Sequence, residues 1–124
     1  PQTRVAAVTI LTSLSAQNLD ELGIVGPPID AVRRLASLAV NAGASALVCS
    51  PAEVAAVRGE VGPEVLLITP GVRPVGADVG DQQRVATPEQ ALADGASLLV
   101  IGRPITAADN PGAAAAHLAA SVQA

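Results

Sequence analysis

The chain has 124 residues, half of them apolar, with seven arginines, eleven carboxylates and one histidine, for a formal net charge of −4. That is enough chain for one small domain, the acidic balance leaves no basic stripe for duplex nucleic acid, and no apolar run reaches transmembrane length. Phe, Trp, Tyr, Met and Lys are all absent, so any core is built from Leu, Ile, Val and Ala.

The joint absence of five residue types reads as a simplified or engineered alphabet, with a lysine-poor natural chain as the alternative. The first residues carry no signal-peptide pattern, and the profile fits a soluble cytoplasmic protein. Cys49, the single cysteine, sits in the apolar run Ala46 to Cys49 and reads as a small buried hydrophobe.

Val5 to Leu11 is β-branched and mostly apolar, which predicts a first strand ended by Thr12 and Ser13. Asn18 to Ile24 predicts a short helical turn closed by Gly23 and Gly26. Pro27-Pro28 opens a helix whose apolar stripe is Ile29, Val32, Leu35, Ala36, Ala39 and Val40, with Gly43 as its stop and Arg33-Arg34 on a solvated face. Ala46 to Cys49 is the second strand. Ser50-Pro51-Ala52-Glu53 has the order of a capping box, predicting a helix to about Val61, and Gly62-Pro63 breaks it. Val65 to Thr69 is the third strand.

A long Gly- and Asp-rich loop follows, then a second capping box, Thr87-Pro88-Glu89-Gln90, on a helix ending at Gly95. Leu98 to Ile101 is the fourth strand, and Asn110-Pro111 caps a last Ala-heavy helix on which His117 is a surface or packing residue. Gly43-Ala44-Ser45 and Gly95-Ala96-Ser97 precede strands two and four, which reads as a shared helix-to-strand turn. The order βαβαβαβα with short apolar strands indicates a parallel sheet, either a small doubly wound sheet or part of a (β/α)8 barrel. A full barrel needs about 250 residues, so residues 1–124 are read as a single half-barrel domain.

Strands three and four both end in glycine and arginine, at Pro70-Gly71-Val72-Arg73-Pro74 and Gly102-Arg103-Pro104. Bare backbone N–H groups beside guanidinium forks are what an anion site requires. The loop after Gly71 is long enough to be functional. No His, Cys or carboxylate cluster suggests a metal.

Leu11-Thr12-Ser13, Val48-Cys49-Ser50, Thr69-Pro70-Gly71-Val72-Arg73-Pro74, Gly80-Asp81-Gln82, Thr87-Pro88-Glu89-Gln90-Ala91 and Ile101-Gly102-Arg103-Pro104, in that order, resemble the C-terminal half of orotidine 5′-phosphate decarboxylases of the bacterial type. The resemblance implies a fold, four βα units forming the C-terminal half of a (β/α)8 barrel, and a reaction, loss of CO2 from orotidine 5′-phosphate to give UMP, without a metal or organic cofactor.

It also implies roles. Arg103 and the Gly102 backbone would hold the phosphate, Gln82 would reach from a phosphate loop towards phosphate and base, and Arg73 would belong to the same contacts. Thr12 would bond the pyrimidine edge and Pro70 would pack near the ring. An arginine offers phosphate a bidentate fork, and a glutamine both donates and accepts.

The family's chemistry rests on an Asp-Lys-Asp network in its N-terminal half. This chain has no lysine, and Asp20, Asp30, Asp78, Asp81, Asp94 and Asp109 stand in no comparable motif. No catalytic residue is therefore assigned, and the isolated chain is expected to bind phosphate weakly and not to decarboxylate.

The expected partners are orotidine 5′-phosphate or UMP, a complementary N-terminal half, or a second copy in a homodimer, with no nucleic acid and no membrane. The competing readings are a non-catalytic designed half-barrel scaffold and, third, a sugar-phosphate enzyme of similar architecture, against which the Gly-Asp-Gln loop argues.

Overall fold

The computed structural model describes residues 2–77, 80 and 85–123. Four strands, β1 (Ala6–Val8), β2 (Ala46–Val48), β3 (Leu66–Thr69) and β4 (Leu98–Leu99), lie side by side in chain order, every neighbouring pair parallel. The helices are α1 (Ala16–Glu21), α2 (Pro28–Asn41), α3 (Val54–Val61), α4 (Pro88–Ala93), α5 (Arg103–Thr106) and α6 (Pro111–Val122). Consecutive order with helical crossovers is what a barrel wall requires, whereas a doubly wound sheet reverses its strand order.

Side chains alternate across each strand. Ala7, Leu47 and Leu67 share a register row that faces the helices, and Leu47 and Leu67 are fully buried there. Val32 and Ala36 of α2 and Val54 and Val57 of α3 close over them, with Leu19 of α1 completing the same core. Each fully buried Leu or Val adds about 2 kcal/mol of transfer free energy, so this layer replaces the missing aromatics by number. Val8, Val48, Ile68 and Leu98 form the alternate row, on the other face.

The shared turn before β2 and β4 is present in both places. Gly43 and Gly95 adopt φ +103° and +108°. The Ala44 N–H donates to Ala39 O and the Ala96 N–H to Ala91 O, both at 3.0 Å, beside Gly43 N–H to Val40 O and Gly95 N–H to Leu92 O. This is a left-handed glycine stop with its paired bonds back to the helix.

Arg58 of α3 fastens the same end of the sheet. Its guanidinium donates to the carbonyls of Gly62 and Val65, each at 2.7 Å, to Gly95 O at 2.8 Å and to Ser97 Oγ at 3.0 Å. Ser97 Oγ accepts in turn from the Leu67 N–H at 3.1 Å. One side chain thus ties α3, the start of β3 and the turn into β4. A Cβ on Gly95 would stand 3.1 Å from Arg58 Cγ, so glycine is also what lets the guanidinium close in.

Several boundaries differ from expectation. The first strand keeps only Ala6–Val8, although Thr9 still donates to Val48 O through both its N–H and its hydroxyl. The fourth keeps Leu98–Leu99, with the Val100 N–H donating to Thr69 O. The first helix begins earlier, at Ala16, because Ser15 and Asn18 cap each other reciprocally.

Ser50 does not cap. The chain makes a 3-10 turn over Pro51–Glu53 before α3, and Ser50 and Glu53 are buried at the sheet end instead of left at a helix start in solvent. Thr87 does cap, accepting from the Gln90 N–H at 3.3 Å, but the Gln90 amide bonds to Asp94 one turn on, not back to Thr87. The short helix α5, opened by Arg103 itself, was not foreseen.

Candidate functional site

Because all four strands are parallel, their C-terminal ends share one rim, and the segments after them meet there. Pro70 and Gly71 turn the chain at the end of β3, with Gly71 at φ +74°. Val72 then forms a parallel bridge with Ala86, and the Arg73 N–H donates to Ala86 O at 2.9 Å. This bridge fixes the start and finish of the long loop against each other. Arg73 is only 7% exposed, with Nη1 donating to Val72 O at 2.8 Å. At the end of β4, Gly102 is the N-cap of α5 and Arg103 its first residue. Thr106, one turn on, donates from Oγ1 to Gly102 O at 3.3 Å.

The two corners face one hollow of about 280 Å3, lined by Pro70, Gly71, Arg73, Val100, Gly102, Arg103 and Thr106. Beside it a second hollow of about 200 Å3 is lined by Ala77, Gly80, Arg103, Pro104 and Ala107. Arg103 lines both. Gly80, at φ +58°, approaches Arg103 so closely that a Cβ there would stand 2.9 Å from Cζ and 3.0 Å from Nη2. The loop backbone and the second corner are in contact through a glycine that no other residue could replace without shifting the guanidinium.

Of the residues expected at a site, Pro70, Arg73, Gly102 and Arg103 come together. Thr12 lies past the end of β1, on the same rim but two strands from β3, about 10 Å across the sheet. It is 5% exposed and lines neither hollow. Gln82 falls outside the described residues. Val100 and Thr106 were missed. Val100 was read as strand, and Thr106 could have been noticed only as the hydroxyl one helical turn after Gly102. The hydroxyls of Ser50 and Thr69, at the ends of β2 and β3, are buried and make no hydrogen bond among the described residues. Among the described residues no group of three His, Cys, Asp or Glu side chains could hold a metal ion, and no helix is long and apolar enough to cross a membrane.

A larger hollow, about 500 Å3, lies between α2 and α3 and is lined by Asp30, Arg33, Arg34, Ser37 and Glu60. Two of its charges pair with each other: Arg33 Nε donates to Glu60 Oε2 at 2.9 Å, and Ser37 Oγ donates to Oε1 at 3.1 Å. The face expected to be merely solvated is thus an exposed ion pair. The Arg33 hydrogen bond, then Ser37, then the Arg33 charge hold the Glu60 carboxyl below its ordinary pKa.

A lowered carboxylate pKa stabilises the fold above the unfolded-state value, and that contribution is lost as pH falls through the folded-state value. Glu60→Gln should therefore flatten the acid limb of stability against pH. Urea midpoints at neutral pH and below pH 4 should differ less in the variant than in the parent.

A parallel sheet wound in consecutive order, with its connecting helices, is the architecture of half a (β/α)8 barrel. The family model of the orotidine 5′-phosphate decarboxylase / HUMPS family matches residues 2–118, and the chain belongs to that family. It is 71% identical over 123 residues to orotidine 5′-phosphate decarboxylase of Thermobifida fusca, covering 99% of this chain and 53% of that protein. Against the enzyme of Frankia casuarinae it is 60% identical over all 124 residues, covering 45% of that protein. A crystal structure of orotidine 5′-phosphate decarboxylase from Lactobacillus acidophilus superposes with a TM-score of 0.80 at 37% identity, over 98% of this chain and 50% of that one. The chain spans about half the length of the relatives it matches.

Proposed function

We propose that residues 1–124 act as one half-barrel domain, the C-terminal, phosphate- and pyrimidine-binding half of an orotidine 5′-phosphate decarboxylase, and that with a complementary half it converts orotidine 5′-phosphate to UMP and CO2. The observation that carries this reading is the single hollow lined by Pro70, Gly71, Arg73, Gly102 and Arg103. Arg103, exposed at the rim, presents its fork to the phosphate, and the buried Arg73 adds positive charge from the hollow's wall. The Gly71 and Gly102 backbones let a dianion approach closely.

Pro70 packs near the pyrimidine ring, Thr12 bonds its edge, and Gln82 spans from loop to phosphate and base. No residue of this chain is assigned as proton donor, because the chain has no lysine. The isolated chain binds ligand and does not turn it over. The reaction calls on no cofactor, the ligand partners are orotidine 5′-phosphate and UMP, and the protein works in the cytoplasm, free of nucleic acid and membrane. The designed, non-catalytic scaffold is not favoured, given a relative 71% identical over 123 residues.

Mixing the chain with the N-terminal half of the Thermobifida fusca relative tests this. Recovered UMP formation supports the reading, and a folded mixture that forms no UMP counts against it.

A glycine pair gives a sharper check. Gly76 and Gly80 both have positive φ, +82° and +58°, but a Cβ on Gly76 meets nothing within 4 Å while one on Gly80 meets Arg103. Both alanine variants carry the left-handed backbone cost of about 1 kcal/mol. Only Gly80→Ala should weaken UMP binding, by roughly tenfold, the loss of one charge-assisted contact. Equal affinities in the two variants would mean that the Gly80 contact does not set the position of Arg103 for the phosphate.

A further inference from the structure

The corner at Arg103 is short of backbone donors. Pro104, the second residue of α5, has no N–H. The next two amides turn inwards: Ile105 and Thr106 both donate to Gly102 O, each at 2.9 Å. The first turn therefore leaves an anion at most the N–H groups of Gly102 and Arg103, where an ordinary helix start offers about four. A phosphate monoester presents several strong acceptor oxygens, so side chains must supply the remaining donors.

Of the residues lining the hollow, Pro70, Gly71, Val100 and Gly102 carry no side-chain donor, which leaves the two arginines and Thr106. Arg73 is buried and directs Nη1 to the Val72 carbonyl. Thr106 is exposed. Its Cβ leans towards the N-terminal turn of α5, as helical Cβ atoms do, and so towards Arg103.

The Thr106 hydroxyl is weakly engaged. It donates to Gly102 O at 3.3 Å, well beyond the usual ~2.8 Å of an O–H···O bond. A carbonyl oxygen has two lone pairs, and here the amides of Ile105 and Thr106 already occupy both. Withdrawing the hydroxyl leaves that carbonyl satisfied. We propose that Thr106 is a further phosphate-binding residue, its O–H rotating from Gly102 O to a terminal oxygen of the bound phosphate monoester. The rotation moves no backbone. A neutral donor beside two guanidinium groups adds direction without adding charge, and fixes how the phosphate is turned against the Arg103 fork. The role rests on the nucleotide reading of the site and adds one contact to it.

Thr106→Val keeps the shape of the side chain and removes the donor, whereas Thr106→Ser keeps the donor. Threonine, serine and valine have similar helix propensities, so parent and both variants should melt together. Calorimetric titration with UMP and with uridine separates the phosphate contact from the rest. Thr106→Val should bind UMP roughly tenfold more weakly than the parent, the loss of one hydrogen bond to a charged group, and should bind uridine as the parent does. Thr106→Ser should recover most of the UMP affinity. Arg103→Ala is the control on the site itself.

Parent affinity for UMP in Thr106→Val, while Arg103→Ala loses it, overturns the proposal and leaves the two-corner site standing. A loss shared by UMP and uridine, a lower melting temperature in Thr106→Val, or a Thr106→Ser no better than Thr106→Val also overturns it, because the threonine would then be holding the shape of the corner. A parent that binds UMP no better than uridine, or an Arg103→Ala that binds UMP as the parent does, removes the nucleotide reading and the role of Thr106 with it.

Discussion

Arg58→Ala should lower the stability of the chain by roughly 3 kcal/mol, since hydrogen bonds to charged groups contribute about 1.5–3 kcal/mol each and are not additive. The loss is that large because three carbonyls depend on one side chain: those of Gly62, Val65 and Gly95 all accept from it, and Ser97 Oγ does too. Removing the guanidinium leaves these acceptors at the N-terminal end of β3 and β4 to find water in a partly buried corner.

For a domain of this size the melting temperature should fall by roughly 12 °C. Lysine is a poor substitute, because a single ammonium cannot span the fork's separate directions. Arg58→Lys should therefore recover less than half of the loss. Thermal denaturation of the three proteins, followed by circular dichroism, decides it. A variant that melts with the parent would mean that the clamp is incidental to the fold.

Arg103→Ala should weaken UMP binding by roughly ten- to a hundredfold, the range expected for loss of a charge-assisted, forked contact to phosphate. Stability should change less than in Arg58→Ala, since Arg103 is exposed and opens a helix of only four residues. In the mixture with a complementary half, UMP formation should fall by at least the same factor, because phosphate binding holds the reacting ring in place. Arg73→Ala is a less clean comparison. Arg73 is buried and bonded to the Val72 carbonyl, so its removal disturbs the loop bridge as well as the site. Calorimetric titration of UMP into parent and Arg103→Ala separates binding from folding.

Most of the architecture was legible in the residues because the punctuation is strong. Gly43 and Gly95 stop their helices in the same left-handed turn that their shared Gly-Ala-Ser run predicted. Pro28, Pro88 and Pro111 each stand in the first turn of a helix. The corners at Gly71 and Gly102 were visible as glycine and arginine following apolar runs, and the parallel sheet brings them to one hollow.

What was not legible depended on burial. Ser50 has the spacing of a helix cap, yet it is fully buried and the helix starts a turn later, so tertiary packing overrode the local signal. The clamp by Arg58 joins residues as many as 39 positions apart, beyond the reach of any local pattern. Nor could spacing along the chain disclose that Thr12 stands two strands away from the hollow, or that Gly80 touches Arg103.

An NMR titration of the isotopically labelled chain with UMP, read at the glycine amides, is the most direct test of the two-corner site. If both corners hold one phosphate, the Gly71 and Gly102 resonances should move together, saturate with a single dissociation constant, and need roughly ten- to a hundredfold more UMP to do so in Arg103→Ala. Movement at one glycine without the other, or an unchanged dissociation constant in Arg103→Ala, would contradict a shared cradle.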